Sequence, residues 1–245
     1  MKTVILSLGL FFFTINVYSQ LDKAEEWKNQ QLTSNYVAEN EILNSILRYD
    51  FSEILSYSKY ENARVGFIGE NFQRIQIHFI SVIKNSEKPN EYFVFGKSKV
   101  KDNVCEFQGK IELVTARYYK QSETDEIKQG FIIANYTFFE NPKQNYVGYF
   151  KGILKSGFYF DGENKLKYDD FVLEADGYRN NEFVGSWISY TTKKEKVCNW
   201  GDFRIPFSNG LDIGAGEFSP DRKYFEFGWK EYTEMPYDKI DEWWK

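Results

Sequence analysis

The sequence predicts a mainly β fold, an antiparallel meander closed as a barrel or stacked as a sandwich, with a short N-terminal helical segment. From about residue 63 onward, apolar and polar residues alternate with the period of strands. Short turns rich in Gly, Pro, Asn and Asp separate these runs, and no long helical pattern intervenes. Aromatic residues make up 19% of the chain and recur throughout it, as they do where Phe and Tyr fill a β core. A sheet of this size must close or stack to hide its edges. Hairpin-short connections favour the barrel.

The first residues read as a secretory leader. Lys2 precedes an apolar stretch from Val4 to Phe13, and Val17 and Ser19 supply small residues for cleavage before Gln20. The run ends too early for a membrane anchor, which needs about 20 apolar residues. Residues 1–19 are therefore expected to be a signal peptide and residues 20–245 a single β-rich domain, secreted or periplasmic, with no integral membrane segment after cleavage. No Cys stands at the junction to carry a lipid.

Residues 21–58 have a different period. Ile42, Leu43, Ile46 and Leu47 fall on one helical face, and Phe51, Ile54 and Leu55 continue it beyond Asp50 and Ser52, which are suited to helix N-termini. Two or three short helices packing on the β body are expected here.

Within 63–232 the expected strands follow in order. Ile75 to Ile83 comes first, then Tyr92 to Phe95 after the turn at Glu87-Lys88-Pro89-Asn90. Cys105 to Val114, Phe131 to Phe139 and Tyr146 to Leu154 come next. Tyr159-Phe160 should meet Leu166 to Tyr168 across Asp161-Gly162-Glu163-Asn164, a tight-hairpin signal. Phe171 to Leu173, Phe183 to Tyr190 and Tyr224 to Tyr232 complete the series, and 237–245 reads as a short C-terminal helix whose Ile240, Trp243 and Trp244 dock on the body.

An aromatic-x-Gly-x-large pattern recurs at Phe107-Gln108-Gly109, Tyr146-Val147-Gly148 and Phe183-Val184-Gly185. Glycine at such positions lets a neighbouring aromatic lie over bare backbone. Gly185-Ser186-Trp187 resembles the Gly-x-Trp of lipocalin-like barrels, and Tyr146 to Phe150 resembles a MORN repeat. Each resemblance spans only those residues and carries no function across.

Charge and motif content narrow the function. Lys and Arg number 31 against 36 Asp and Glu, a net charge of −5, which argues against nucleic acid or anionic membrane as partner. The two cysteines, Cys105 and Cys198, are expected to form a disulfide in an exported chain. They cannot make a zinc site with His78, the only histidine. No metal site, cofactor or catalytic triad is expected. Leu211 to Glu217 (LDIGAGE) has the look of a nucleotide-binding glycine motif, but Phe218-Ser219-Pro220 follows where a helix is needed, so it reads as a turn.

The stretch from Cys198 to Pro206 is the candidate ligand site. In an extended chain Asp202 and Arg204 share a face beside Trp200, and Trp187 supplies a further indole. An indole, a carboxylate and a guanidinium suit a polar ligand such as a sugar; the plainer alternative is an Asp–Arg pair that ties down a loop. The expected function is an exported, non-enzymatic β protein that binds a small apolar or sugar ligand inside the barrel, or a protein on its surface. The alternative is a glycan hydrolase using a carboxylate pair drawn from Asp169, Asp170, Glu174, Asp176 and Glu217.

Overall fold

A computed structural model describes residues 20–57, 63–235 and 242–245. The leader, and residues 237–241 of the expected C-terminal helix, lie outside the described residues. Among the described residues ten strands form one antiparallel sheet: β1 Arg64–Ile68, β2 Gln73–Arg74, β3 Gln76–Lys84, β4 Glu91–Val100, β5 Asn103–Tyr118, β6 Lys128–Glu140, β7 Gly148–Phe160, β8 Leu166–Tyr168, β9 Asn180–Ser189 and β10 Glu195–Asp202. Their order is β2-β1-β10-β9-β7-β6-β5-β4-β3, with β8 paired to β7 off that path.

The meander from β3 to β7 follows from the alternation in the sequence: β5 and β7 bury every second side chain over most of their length, while β6, covered on both faces, buries all of residues 129–134. The sheet curls into a half-barrel. Bulges between Phe79 and Ser81, between Leu113 and Thr115, and between Trp200 and Asp202 add local bend. Ile75, between β2 and β3, donates its N–H to the Gly66 carbonyl at 3.0 Å. The segment 73–84 thus pairs first with β1 and then with β4, which draws the sheet ends together.

Aromatic side chains fill the concave face. Trp200 stacks on Phe183 at 4.6 Å and meets Tyr136 at 5.3 Å, while Phe107 lies 5.2 Å from Phe138. All five are buried, and each contributes about 1.5–3 kcal/mol by leaving water. The glycine pattern has the role its sequence implies. A Cβ on Gly185 would stand 2.5 Å from the Tyr136 hydroxyl, and one on Gly148 would stand 2.7 Å from the Trp187 ring.

The expected helices are present as α1 Gln20–Leu32, α2 Leu43–Ile46 and α3 Ser52–Ser56. Trp27 and Ala24 of α1 cover Phe131, Ile133, Ile153 and Val184 on the convex face. The segment holding α2 and α3 instead closes one end of the concave face, with Ile46, Phe51, Ile54 and Leu55 joining the main core. A third cluster seats Leu211, Phe218 and Trp229 on Val65 and Phe67 of β1. The convex face of β4 to β6 carries exposed aromatics, with Phe93 50% and Phe139 49% accessible.

Several expectations need correction. Phe171 to Leu173 lie in turns, not a strand, and the Phe171 and Val172 side chains are exposed. Tyr224 to Tyr232 form a 3-10 turn at Arg222–Phe227 and a helix, α4 Trp229–Glu234. Asp221 starts that turn by accepting from the Lys223 N–H at 3.1 Å, and Gly228, at φ 88°, separates it from α4. Cys105 and Cys198 are free, buried thiols rather than a disulfide. They stand on β5 and β10, with β9, β7 and β6 between those strands in the sheet. The Cys105 thiol is also turned to Asn103 Nδ2 at 3.2 Å and the Asn145 carbonyl at 3.6 Å.

Candidate functional site

Trp200, Asp202, Arg204 and Trp187 do not come together. Trp200 is fully buried in the concave face. Phe203, at φ 69°, breaks the extended backbone, so Asp202 and Arg204 do not share a face. Asp202 accepts from Arg64 Nε at 3.0 Å, Asn181 Nδ2 at 2.7 Å and the Tyr168 hydroxyl at 3.2 Å. That network lies beneath α3, where Asn181 also donates to the Ile54 carbonyl at 3.0 Å and Tyr57 stacks on Tyr168 at 3.5 Å.

Arg204 pairs with Asp212 at 2.5 Å and donates to the carbonyls of Gly214, Ala215 and Gly216. An Arg–Asp pair does tie down a loop, but the carboxylate is Asp212, and the glycine-rich motif is the loop it holds. Trp187 belongs to the opposite end of the strands. Its Nε1 donates to Glu140 at 2.9 Å, and Glu140 also accepts from the Ser98 hydroxyl at 2.6 Å and the Gly148 N–H at 2.8 Å. Burial pushes the Glu140 carboxyl above its usual range, and these three donors oppose the rise.

A cleft of about 710 Å³ opens on the convex side instead, beside α1. Its origin is a change of strand partner. β7 pairs with β9 up to Lys155 and with β8 from Phe158, so its two neighbours part around Gly157. Asn180 fills the gap by mimicking a strand: its Oδ1 accepts from the Gly157 N–H at 2.7 Å and its Nδ2 donates to the Gly157 carbonyl at 3.1 Å. Gly157 leaves the floor bare, since a Cβ there would meet the Asn180 amide at 3.3 Å and Asp169 Cβ at 3.4 Å.

Five of the ionisable side chains that line this notch act on one another. Lys155 and Glu182 are register partners on β7 and β9, and Glu182 faces Arg179 Nε at 3.4 Å. Tyr119 arrives at the end of β5, where Val37 bridges to it. Asp169 follows β8 and is held by Gln129 Nε2 at 3.0 Å, while its carbonyl accepts from the Tyr178 hydroxyl. Lys155 and Tyr119 each feel Asp169, Glu182 and Arg179, which places all five in one field. Burial raises the Asp169 carboxyl above its ordinary value against the pull of Gln129. It likewise lowers the Lys155 ammonium and raises the Tyr119 phenol. Tyr36, 79% exposed, and the amides of Asn35, Gln121 and Gln129 complete the walls.

Of the acids singled out in the sequence, Asp169 and Asp176 line the cleft, whereas Glu217 is exposed on the loop around Arg204. Tyr119, Lys155, Arg179, Asn180 and Glu182 escaped sequence reasoning. For Lys155 and Glu182 the one signal was charge at outward positions of otherwise apolar strands, as in Ile153-Leu154-Lys155 and Glu182-Phe183-Val184, and the other three carried none. Among the described residues no group of three or more His, Cys, Asp or Glu is arranged to hold a metal ion, and no helix is long and apolar enough to cross a membrane. Comparison with known proteins finds no matching family model, no matching curated protein and no matching solved structure.

Proposed function

We propose that this is an exported β protein that binds a small polar ligand of the saccharide class in the cleft at the β7 partner switch. The observation that carries the proposal is the convergence of Tyr119, Lys155, Asp169, Arg179 and Glu182 on one cleft. Sites for small ligands are concave and carry a few fixed polar groups, and perturbed ionisable residues concentrate in them. Neutral amides beside Tyr36 and Tyr178 match the mixed hydroxyl and C–H surface of a sugar ring. The concave face, by contrast, is occupied by side chains such as Trp200 and Phe183, which favours the outer cleft over an internal ligand. Export rests on the leader pattern of residues 1–19.

The test is saturation-transfer NMR with neutral, amino and acidic mono- and disaccharides. Tyr36→Ala and Arg179→Ala change rim side chains that are mostly exposed and should leave the fold intact. Binding of at least one saccharide that weakens about tenfold in these variants is expected, an effect of roughly 1.4 kcal/mol. Equal binding by wild type and variants would refute it.

A second reading is a hydrolase, favoured by Asp169, a carboxyl raised by burial that shares the cleft with Glu182. Turnover of p-nitrophenyl glycosides that is lost in Asp169→Asn would establish it. No turnover across the panel would remove it.

A further inference from the structure

We propose that the cleft captures a carbonyl-bearing ligand, an aldehyde or the open-chain form of a reducing sugar, as a reversible imine on Lys155. This inference rests on the cleft being the ligand site. Among the described residues no carboxylate lies within ion-pairing distance of Lys155, and its one hydrogen bond goes to a neutral acceptor, Gln31 Oε1, at 2.8 Å. The amine lies over the Phe131 ring at 5.1 Å, and the Arg179 guanidinium shares its surroundings. A lysine becomes a nucleophile where it is desolvated or placed beside another cation. Burial is the largest influence on Lys155 and lowers it, Arg179 acts the same way, and the Glu182 and Asp169 carboxylates oppose them without reversing the direction. Two exposed lysines are handled differently. Lys110 sits 2.7 Å from Glu91 and Lys223 3.1 Å from Asp221, pairings that stabilise the ammonium.

The chemistry needs no oxidant or reductant. The neutral Lys155 amine attacks the carbonyl carbon, the C=O π pair moves to oxygen, one proton passes from the attacking nitrogen to that oxygen, and a neutral carbinolamine forms. Loss of that hydroxyl as water requires a proton, and Asp169, whose carboxyl burial favours in its protonated form, stands in the same cleft to give it. The remaining N–H proton returns to Asp169, leaving a C=N bond and one water. Water reverses the sequence and frees the ligand, so this is covalent capture rather than turnover. The cleft of about 710 Å³ that Lys155 lines leaves space for the carbonyl carbon beside β7.

The experiment is reductive trapping with glycolaldehyde and sodium cyanoborohydride at neutral pH, read by peptide mapping of the folded wild-type protein. Lys155 should be labelled at least about threefold faster than exposed lysines such as Lys110 and Lys223, since desolvation raises its neutral fraction. Lys155→Arg should abolish that fast phase alone. Labelling of Lys155 no faster than the surface lysines would overturn the inference, as would a fast phase that survives in Lys155→Arg. A parallel NMR titration with a sugar alcohol, which has no carbonyl, separates the two levels. Sugar-alcohol binding with slow Lys155 labelling would sink the imine and leave the cleft reading intact. No binding with slow labelling would remove both.

Discussion

Asp202 was a ligand-binding candidate in the sequence, and the structure makes it the counter-ion of a buried arginine. Its replacement by Asn keeps the shape and removes the charge. Arg64 would then remain beneath α3 with 9% of its side chain exposed and, among the described residues, no other carboxylate paired with it. Breaking a buried pair from one side costs about 3–5 kcal/mol, because the surviving charge stays desolvated. The Phe79 ring, 4.8 Å from the guanidinium, offsets part of this. That contact is worth about 0.5–2 kcal/mol, so a net loss of about 3 kcal/mol is expected. With a urea m-value of about 2–3 kcal/mol/M, the midpoint should fall by about 1–1.5 M. Arg64→Met combined with Asp202→Asn should recover most of the loss, since no unpaired charge is left. Urea unfolding followed by tryptophan fluorescence gives both numbers. A single variant within about 0.5 kcal/mol of wild type, or a double variant no better than the single, would refute the reasoning.

Other expectations follow from the same structure. Glu140→Ala should cost about 3–5 kcal/mol, since the Ser98, Trp187 and Gly148 donors lose their acceptor. Glu140→Gln should be nearly neutral at pH 7. Burial makes the folded protein hold the Glu140 proton more firmly than the unfolded chain, so stability falls as pH rises above about 4.5, and Glu140→Gln should flatten that slope in pH-resolved urea titrations. His78 behaves oppositely. Burial first and Arg64 second lower it from 6.5 to about 4, so its contribution is complete above pH 6.5 and is lost as pH falls toward 4. After discounting for its partial exposure, His78→Gln should remove about 1–2 kcal/mol of that acid sensitivity. Burial also pushes the Cys105 thiol up to about 11 and holds Cys198 well above the usual thiol range. Both should react with Ellman's reagent only after unfolding, and reductant should leave the melting temperature unchanged; an unfolded, unreduced chain without free thiols would contradict this.

Where neighbouring residues decide the structure, the sequence reads well. Alternation at Ile75, Ile77 and Phe79 matches buried positions in β3 and just before it, and the turn at 161–164 joins β7 to β8. Gly148 and Gly185 announced the close approach of Trp187 and Tyr136. The stretch from Tyr224 to Trp229 misled because its aromatics alternate like a strand, while Asp221 and Gly228 set a helical path. Asp202 and Arg204 misled because the positive φ of Phe203 turns the chain between them. The disulfide expectation rested on a count of cysteines, which says nothing of the strands between them. The cleft was the least legible feature. It exists because β7 changes partner near Gly157, and that depends on the register of strands far apart in sequence.

The most direct test of the central claim is a chemical-shift map. The protein, labelled with nitrogen-15, would be titrated with the saccharide that gives the strongest NMR transfer. The cleft proposal predicts shifts at the Gly157 amide, the Asn180 and Gln129 side-chain amides and the Tyr119 amide. Shifts confined to the exposed Phe93 and Phe139 face, or to the loop held by Arg204, would contradict it.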